Sequence, residues 1–451
     1  MGEHEPITGN LTPPLPPPFQ TDTSRDSSCE EQTPSLKRQD SFIELSAIAE
    51  RFFKQMSGYR GLAASGLNAV FGPLVDVAPP DKASRERAHM WQRGRVHTWN
   101  PEVASFFAGL AIQAARVDDR PVFSFIKHAP GIGSIEAKTI EMGDSLVTDT
   151  RTYGEIANNF RSFETTLRQF DNGVGVMVAG VAVPALDKGD QKVLPPAALS
   201  PKVVSWMRKR LGQDVLLITD DANSPSFRAY IKGKIEKESK NALERREQKV
   251  AMLLYLSVKA DIDIILFCDS DFPDKAASRL ISAGRRLIKE RRITRKELIP
   301  SVRRILKAKQ AMYPDNPRLA DVDALIDGMT NDELWAQKLL LMTYDEGNLS
   351  ASASRAVELG IGGLSTEATQ AKRNDLKKIV DEKVAQGAIP VFIADNSPQE
   401  LPGYDNKANR AELGAWQLIR KFTTAYDRLF PEGASECFFS VMRDEATATS
   451  P

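Results

Sequence analysis

The feature that most constrains this chain is an apolar run that ends in two charged or titratable side chains. Residues 122–126 form the run, and Lys127 and His128 follow it directly. Its length and its aromatic and branched residues predict a buried β-strand. Residues 130–133 then read Pro-Gly-Ile-Gly, which allows the backbone to turn tightly beside a ligand. A strand that opens in this way is typical of a parallel barrel, whose sites lie at the carboxyl ends of its strands.

The composition is that of an ordinary globular protein, and it argues against several classes of partner. The 451 residues include 60 basic and 60 acidic side chains, so nothing global favours nucleic acid or a membrane surface. The three cysteines lack metal-like spacing, and the four histidines leave little material for a metal site. We therefore expect a cytoplasmic protein with no metal, no cofactor, no nucleic-acid partner and no membrane contact.

Residues 1–42 differ in composition from the rest of the chain. They are rich in proline, serine, threonine and charge, and they include the run LTPPLPPPF at residues 11–19. Such a segment buries too little apolar surface to order itself, which predicts a disordered tail. The proline run is also typical of a polyproline ligand for a partner domain, although a solvated tail is the simpler interpretation.

The stretch that follows the first strand resembles the family three glycoside hydrolases, in particular the bacterial β-N-acetylhexosaminidases. Their loop reads K-H-F-P-G-H-G, then four variable residues, then D-S-H. Lys127 and His128 match the Lys-His pair, which contacts the sugar in the family. Ile132 replaces the second His, and residues 138–140 read Lys-Thr-Ile where the family has D-S-H. The resemblance therefore implies a sugar site without the family's Asp-His pair for general acid/base catalysis.

Residues 199–221 resemble the family's nucleophile segment. Ser200 predicts a helix N-cap, and residues 215–218 predict a short buried strand. In the family the nucleophile is the first Asp after a Ser or Thr, so the resemblance assigns that role to Asp220. Because Asp221 follows directly, a helix cap or a turn is the alternative role for this pair of carboxylates.

Three more positions complete the candidate site. Residues 95–103 resemble the segment whose arginine contacts substrate, so the resemblance places Arg95 there; pairing with a carboxylate at the barrel rim is the alternative. Asp395 closes the segment 389–395, which resembles a strand whose aspartate binds sugar hydroxyls. Glu136 lies on the loop of the lost Asp-His pair and is the candidate proton donor, with an ordinary surface glutamate as the alternative.

The segments that resemble the family occur in a permuted order. The family's first three strands resemble residues 338–344, 360–365 and 389–395, near the end of the chain. Its fourth strand resembles residues 67–77, and the family's fifth to eighth strands follow in order. Residues 426–444 resemble a second, decayed copy of the fourth strand.

This order predicts one circularly permuted (β/α)8 barrel of the TIM type, an α/β fold. Residues 43–314 would supply the family's strands four to eight, and residues 315–451 would supply strands one to three and the remnant of strand four. Because the first and last strands of a closed barrel are neighbours, we expect residues 338–344 to pair with residues 263–268. An interleaved dimer is the alternative arrangement.

Two functions are compatible with these residues. The first is a retaining glycosidase acting on β-N-acetylhexosaminide or β-glucoside bonds, in which Asp220 forms a glycosyl-enzyme intermediate and a second group protonates the leaving oxygen. The second is a catalytically inactive barrel that binds a carbohydrate or a partner protein. The loss of the Asp-His pair favours the second function, and the fold alone does not decide between them.

Overall fold

The structure is a computed structural model, and it describes the central and C-terminal parts of the chain with gaps. The described residues are 62, 66–96, 98–116, 122–136, 146–170, 172–188, 193–235, 242–268, 273–343, 354–355, 357–366, 370–396, 419, 422–424 and 426. The predicted tail, residues 1–42, lies outside them. So does the predicted remnant at 426–444, except for Tyr426, which is helical.

Eight strands and twelve α-helices are assigned in the described residues. The strands are β1 (Ala69–Phe71), β2 (Phe123–Ala129), β3 (Val174–Val178), β4 (Leu217–Thr219), β5 (Ile265–Cys268), β6 (Leu339–Thr343), β7 (Gly363–Thr366) and β8 (Phe392–Asn396). The helices are α1 (Lys82–Arg87), α2 (His89–Gln92), α3 (Pro101–Ala115), α4 (Tyr153–Leu167), α5 (Pro201–Leu211), α6 (Pro225–Lys234), α7 (Ala242–Lys259), α8 (Pro273–Lys289), α9 (Arg295–Met312), α10 (Val322–Gly328), α11 (Asn331–Gln337) and α12 (Gln370–Ala385).

All eight strands form one parallel sheet in the order β4-β3-β2-β1-β8-β7-β6-β5. The two outer strands of that order meet through Ile218 and Ile264, and the Thr219 amide donates to the Ile264 carbonyl at 3.0 Å. The sheet therefore curls into a TIM-type barrel, as the sequence predicts.

The pairing across the permutation joint is also confirmed. Strand β6 pairs with β5 in parallel, from Ile265 opposite Leu339 to Cys268 opposite Met342. Strand β8 pairs with β1 in parallel, so the last described strand lies beside the first. Since one chain supplies every strand, the barrel is complete without an interleaved partner.

The barrel interior is filled by side chains from alternate strand positions, and aromatic rings dominate it. Four phenylalanines lie there, with ring centroids 4.9–6.2 Å apart in the neighbouring pairs: Phe71, Phe123, Phe125 and Phe392. Helix α9 adds Ile305 and Met312 to the same cluster. A second, larger apolar layer lies between the strands and the outer helices. The packed interior leaves the loops after the strands as the place for a site.

The predicted helix start at Ser200 is confirmed by its cap, and a second cap marks the start of α11. Ser200 Oγ accepts the Val203 amide at 3.2 Å at the start of α5. Thr330 and Glu333 form a reciprocal capping box at the start of α11, where the Thr330 amide donates to Glu333 Oε2 at 2.7 Å. These caps fix where each helix begins and therefore where the strand after it enters the barrel.

Candidate active site

The carboxyl ends of β2, β3 and β4 lie side by side at one rim of the barrel. The Ala179 amide donates to the Ala129 carbonyl at 2.8 Å, and the Asp220 amide donates to the Val178 carbonyl at 2.9 Å. Three successive strand ends are thereby held together by backbone hydrogen bonds. The structure brings the predicted Lys-His pair and Asp220 to the same rim.

Lys127 and Asp220 each continue a row of strand side chains that points into the barrel interior. Phe123 and Phe125 lie in the barrel interior, and Lys127 is two residues further along β2. Leu216 and Ile218 lie in the same interior, and Asp220 is two residues beyond Ile218. Because strand side chains alternate between faces, both groups are directed toward the barrel axis. Lys127 is 2% exposed, so its side chain is buried at this rim.

His128 is held by Asp76, which follows strand β1. Asp76 Oδ2 lies 2.9 Å from His128 Nδ1 and also accepts the His128 amide at 3.1 Å, while Oδ1 accepts the Ile132 amide at 2.7 Å. Both residues are buried. Asp76 belongs to the segment 67–77, and the sequence analysis gives it no role in the site. A carboxylate near the end of a segment that resembles a barrel strand was the signal that could have assigned it.

The glycines after His128 are required by their surroundings. Gly131 has φ +109°, in the left-handed region that favours glycine. A Cβ on Gly133 would lie 2.3 Å from the Val77 carbonyl oxygen, so only glycine lets this loop pack against the chain after β1. The Lys127–His128 and Ala129–Pro130 peptide bonds are both cis. The loop is therefore shaped by its glycines and by the carboxylate of Asp76.

The two adjacent aspartates after β4 have different surroundings. Asp221 Oδ1 accepts the amides of Asn223 at 2.8 Å and Cys268 at 3.2 Å, which ties the end of β4 to the end of β5. Burial raises the pKa of Asp221, with a smaller contribution from the Asp220 charge beside it. Asp220 accepts only the Asp221 amide, at 2.8 Å, among the residues that the structure describes. Asp221 therefore makes the turn, and Asp220 keeps an oxygen for a ligand.

Arg95 and Glu136 lie on loops that pack against each other. Arg95 is half-buried on the loop after β1, with Nη1 3.6 Å from Met90 Sδ. Glu136 accepts a hydrogen bond from Arg87 Nε at 3.0 Å, and Arg87 is exposed. Ala88 and Glu136 also form an antiparallel bridge. The structure therefore places Glu136 in an ion pair at the edge of the rim, and the role of Arg95 as a sugar ligand stays a prediction.

The last predicted sugar ligand lies on the opposite side of β1 from Lys127. Asp395 belongs to strand β8 and is in register with Val70 of β1. The loop that carries Lys138, Thr139 and Ile140 lies outside the described residues. The sugar-binding role of Asp395 stays a prediction, as do those of Lys127 and His128.

A second buried carboxylate supports the loop after β2 and was missed in the sequence. Asp149 accepts two hydrogen bonds from Arg151 Nε, at 2.9 and 3.2 Å, and a third from Nη2 at 2.6 Å. Arg151 Nη2 also donates to the Gly131 carbonyl. The isolated pair carries no spacing that marks a site, so only the folded structure relates it to the loop.

Residues 175–187 resemble a family segment in which a histidine stands at the position of Gly180, and the structure gives a steric reason for the glycine. A Cβ on Gly180 would lie 2.7 Å from Cε2 of Phe227, which is fully buried at the start of α6. An aromatic ring thus fills the space next to residue 180. Within the described ranges, no group of three or more His, Cys, Asp or Glu side chains is placed to hold a metal ion.

The comparison with protein families decides the affiliation of this barrel. A model described as the glycosyl hydrolase family 3 N terminal domain matches residues 45–308, more than half of the chain. The chain belongs to glycosyl hydrolase family 3. The match ends before β6, so strands β6, β7 and β8 lie outside the matched residues.

The solved structures that match this family 3 chain are distant from it. A β-N-acetylhexosaminidase from Beutenbergia cavernae is 20% identical, with 63% of this chain and 68% of that chain covered and a TM-score of 0.39. A β-N-acetylglucosaminidase from Paenibacillus sp. is 16% identical, with coverages of 87% and 80% and a TM-score of 0.45. CbsA from Thermotoga neapolitana, solved with bound zinc, is 15% identical, with coverages of 83% and 80% and a TM-score of 0.42. No curated protein matches the chain. The family assignment rests on the family match.

Proposed function

We propose that this family 3 barrel is a retaining O-glycosidase that uses Asp220 as its nucleophile and acts on β-N-acetylhexosaminides or β-glucosides. The observation that carries the proposal is the contrast between Asp220 and Asp221. Asp221 is committed to two backbone amides, whereas Asp220 extends an inward row at the carboxyl end of β4. This supports a nucleophile at the position where the family has one.

The proposed reaction has two steps, and both take place at Asp220. An Asp220 carboxylate oxygen attacks the anomeric carbon, and the bond from that carbon to the leaving oxygen breaks. Water then attacks the anomeric carbon of the glycosyl ester, the carboxylate leaves, and a proton passes to solvent. Lys127, with its side chain at the barrel mouth, would donate a hydrogen bond to a sugar hydroxyl throughout both steps.

Proton donation to the leaving oxygen is the step that lacks an obvious group. Glu136, the candidate donor, is engaged by Arg87, whose Nε lies 3.0 Å from Glu136 Oε1. General acid/base catalysis is typically worth ~10² to 10⁴ in rate. We therefore expect slow hydrolysis of alkyl glycosides and faster hydrolysis of aryl glycosides, whose phenolate leaves without a proton.

A second function is favoured by a different observation. The packing of Phe227 against Gly180 replaces a polar group of the family's site with an apolar ring. A barrel that has lost this group and the Asp-His pair would bind a carbohydrate without turning it over. The proline-rich tail would then recruit a partner protein, a role that is a proposal from composition alone.

The location of the protein also stays a proposal. No helix in the described parts of the chain combines the length and apolar character of a membrane span. We propose that the protein works in the cytoplasm, which its cysteine usage favours.

The experiment that separates the two functions measures turnover of p-nitrophenyl β-glycosides by the full chain. Asp220→Asn should abolish turnover because the amide forms no glycosyl ester, while Asp221→Asn, the adjacent matched control, should retain it. Sugar binding by each variant is measured in parallel by calorimetry. Absence of turnover in the wild-type protein, together with unchanged sugar binding by Asp220→Asn, would refute the glycosidase and leave the binding module.

A further inference from the structure

The carboxylate of Asp76 is surrounded by hydrogen-bond donors from a single loop. Its side chain has no exposed surface and accepts the His128 amide, the His128 ring and the Ile132 amide, at 3.1, 2.9 and 2.7 Å. These three donors span five consecutive residues, from His128 to Ile132. A buried carboxylate with three donors around it is fully committed to that loop.

These contacts decide which nitrogen of the His128 ring carries the proton. An ionised carboxylate only accepts hydrogen bonds, and Asp76 Oδ2 lies within 2.9 Å of Nδ1. Nδ1 must therefore be the protonated nitrogen of the neutral ring, and Nε2 is left with a lone pair. In the part of the chain that the structure describes, Nε2 has no hydrogen-bond partner, so its lone pair remains for a ligand.

We propose that Asp76 is a positioning residue that locks His128 in the Nδ1–H tautomer, so that Nε2 accepts a hydrogen bond from a ligand hydroxyl. An acceptor at Nε2 needs a ligand group that donates a hydrogen bond, which a hydroxyl does and an ether or a carbonyl oxygen does not. The identification of that hydroxyl as part of a sugar rests on the proposed function, whereas the tautomer does not.

The tautomer is measured directly by two-dimensional ¹⁵N–¹H NMR of the full chain labelled at histidine nitrogen. The chain has four histidines, and His128→Gln identifies the signals of His128 by subtraction. The wild-type protein should show a protonated Nδ1 and an unprotonated Nε2 at His128 at pH 8. A spectrum with the proton on Nε2 would overturn the proposal, whether or not any variant folds.

Two variants separate positioning from general support of the loop. Asp76→Asn places an amide nitrogen against a backbone donor, so His128 should lose the pure Nδ1–H pattern. Asp149→Asn is the matched control, because Asp149 is as buried as Asp76, at 2%, and supports the same loop through Arg151 without touching His128. An unchanged His128 pattern in Asp76→Asn, or an equal change in Asp149→Asn, would contradict the positioning role.

Binding of a sugar provides the second readout. In an Asp220→Asn background, where no turnover occurs, adding Asp76→Asn should weaken sugar binding roughly ten-fold, as expected for one lost hydrogen bond in a buried site. Adding Asp149→Asn should leave it within about two-fold. If neither background binds sugar while the tautomer is as stated, the glycosidase function fails and the positioning role of Asp76 stands. Equal weakening by both substitutions would contradict the positioning role.

Discussion

Lys309 Nζ donates a hydrogen bond to Gln337 Oε1 at 2.8 Å and joins helix α9 to the end of helix α11. The ammonium also lies 5.5 Å from the centroid of the Phe392 ring, at the first residue of β8. Lys309 is 1% exposed, and this burial lowers its pKa to about 7 from the ordinary 10.5. Lys309 is therefore a buried titratable group that lies between helices α9 and α11 and strand β8.

The first prediction is that protein stability rises with pH in a window that Lys309 sets. Between pH 7 and 10.5 the unfolded chain binds a proton at Lys309 that the folded chain does not, so the free energy of unfolding increases with pH there. Lys309 contributes at most about 1.4 kcal/mol per pH unit to this slope. Lys309→Met should reduce the slope in urea unfolding at pH 7, 8 and 9, and the rest should persist, because burial also lowers the pKa of Lys338 to about 7. Lys307→Met, an exposed control on the same helix, should not reduce it; equal slopes in all three proteins would contradict this account.

The second prediction concerns the buried turn carboxylate of Asp221. Burial raises the pKa of Asp221, which disfavours the charged form in the folded protein. The contribution of Asp221 to the free energy of unfolding therefore falls as pH rises from its unfolded-state pKa through its raised folded-state pKa. Asp221→Asn keeps an oxygen for the two backbone amides and should unfold at equal or higher urea concentration at pH 7. Asp221→Ala should cost ~1 to 3 kcal/mol, because those amides lose their acceptor. A larger loss in the Asn variant than in the Ala variant would show that the charge is needed.

The third prediction tests the ring that occupies the place of the family's histidine. Gly180→Ala should lower the free energy of unfolding by ~1 to 3 kcal/mol, because its Cβ would meet Phe227 at 2.7 Å. Gly154→Ala is the control, since a Cβ there meets nothing within 4 Å in helix α4. Phe227→Leu should relieve part of the Gly180→Ala penalty in a double-mutant cycle. Additive effects would mean that the two positions do not contact each other.

The fourth prediction concerns Glu136 and its ion pair with Arg87. Since the carboxylate is already engaged at 3.0 Å, Glu136→Gln should change turnover of aryl glycosides and alkyl glycosides by the same small factor. Arg87→Ala, which removes the arginine partner of this carboxylate, is the matched comparison. Steady-state rates with leaving groups of graded acidity measure the effect. Selective slowing of the poor leaving groups by Glu136→Gln would identify Glu136 as the proton donor.

Single strands and caps were predictable from local patterns, and the barrel followed from the resemblance of successive segments to family 3. Apolar runs such as 122–126 and caps such as Ser200 report their own structure, and the cyclic order of segments predicts the β5–β6 pairing. What the sequence could not supply are contacts between distant segments. Asp76 and His128 are 52 residues apart, and no spacing rule links them. The roles of Asp220 and Asp221 likewise separate only when Cβ directions and the Cys268 amide are known.

The measurement that tests the central claim most directly is covalent trapping of the glycosyl-enzyme. The full chain is incubated with a 2-deoxy-2-fluoro β-glycoside that carries a dinitrophenolate leaving group, digested, and mapped by mass spectrometry. A retaining enzyme with a carboxylate nucleophile accumulates the fluoroglycosyl ester under these conditions. The account predicts one sugar adduct on the peptide that contains Asp220, present in Asp221→Asn and absent in Asp220→Asn. Aryl glycoside turnover with no adduct, or an adduct on a different carboxylate, would contradict it.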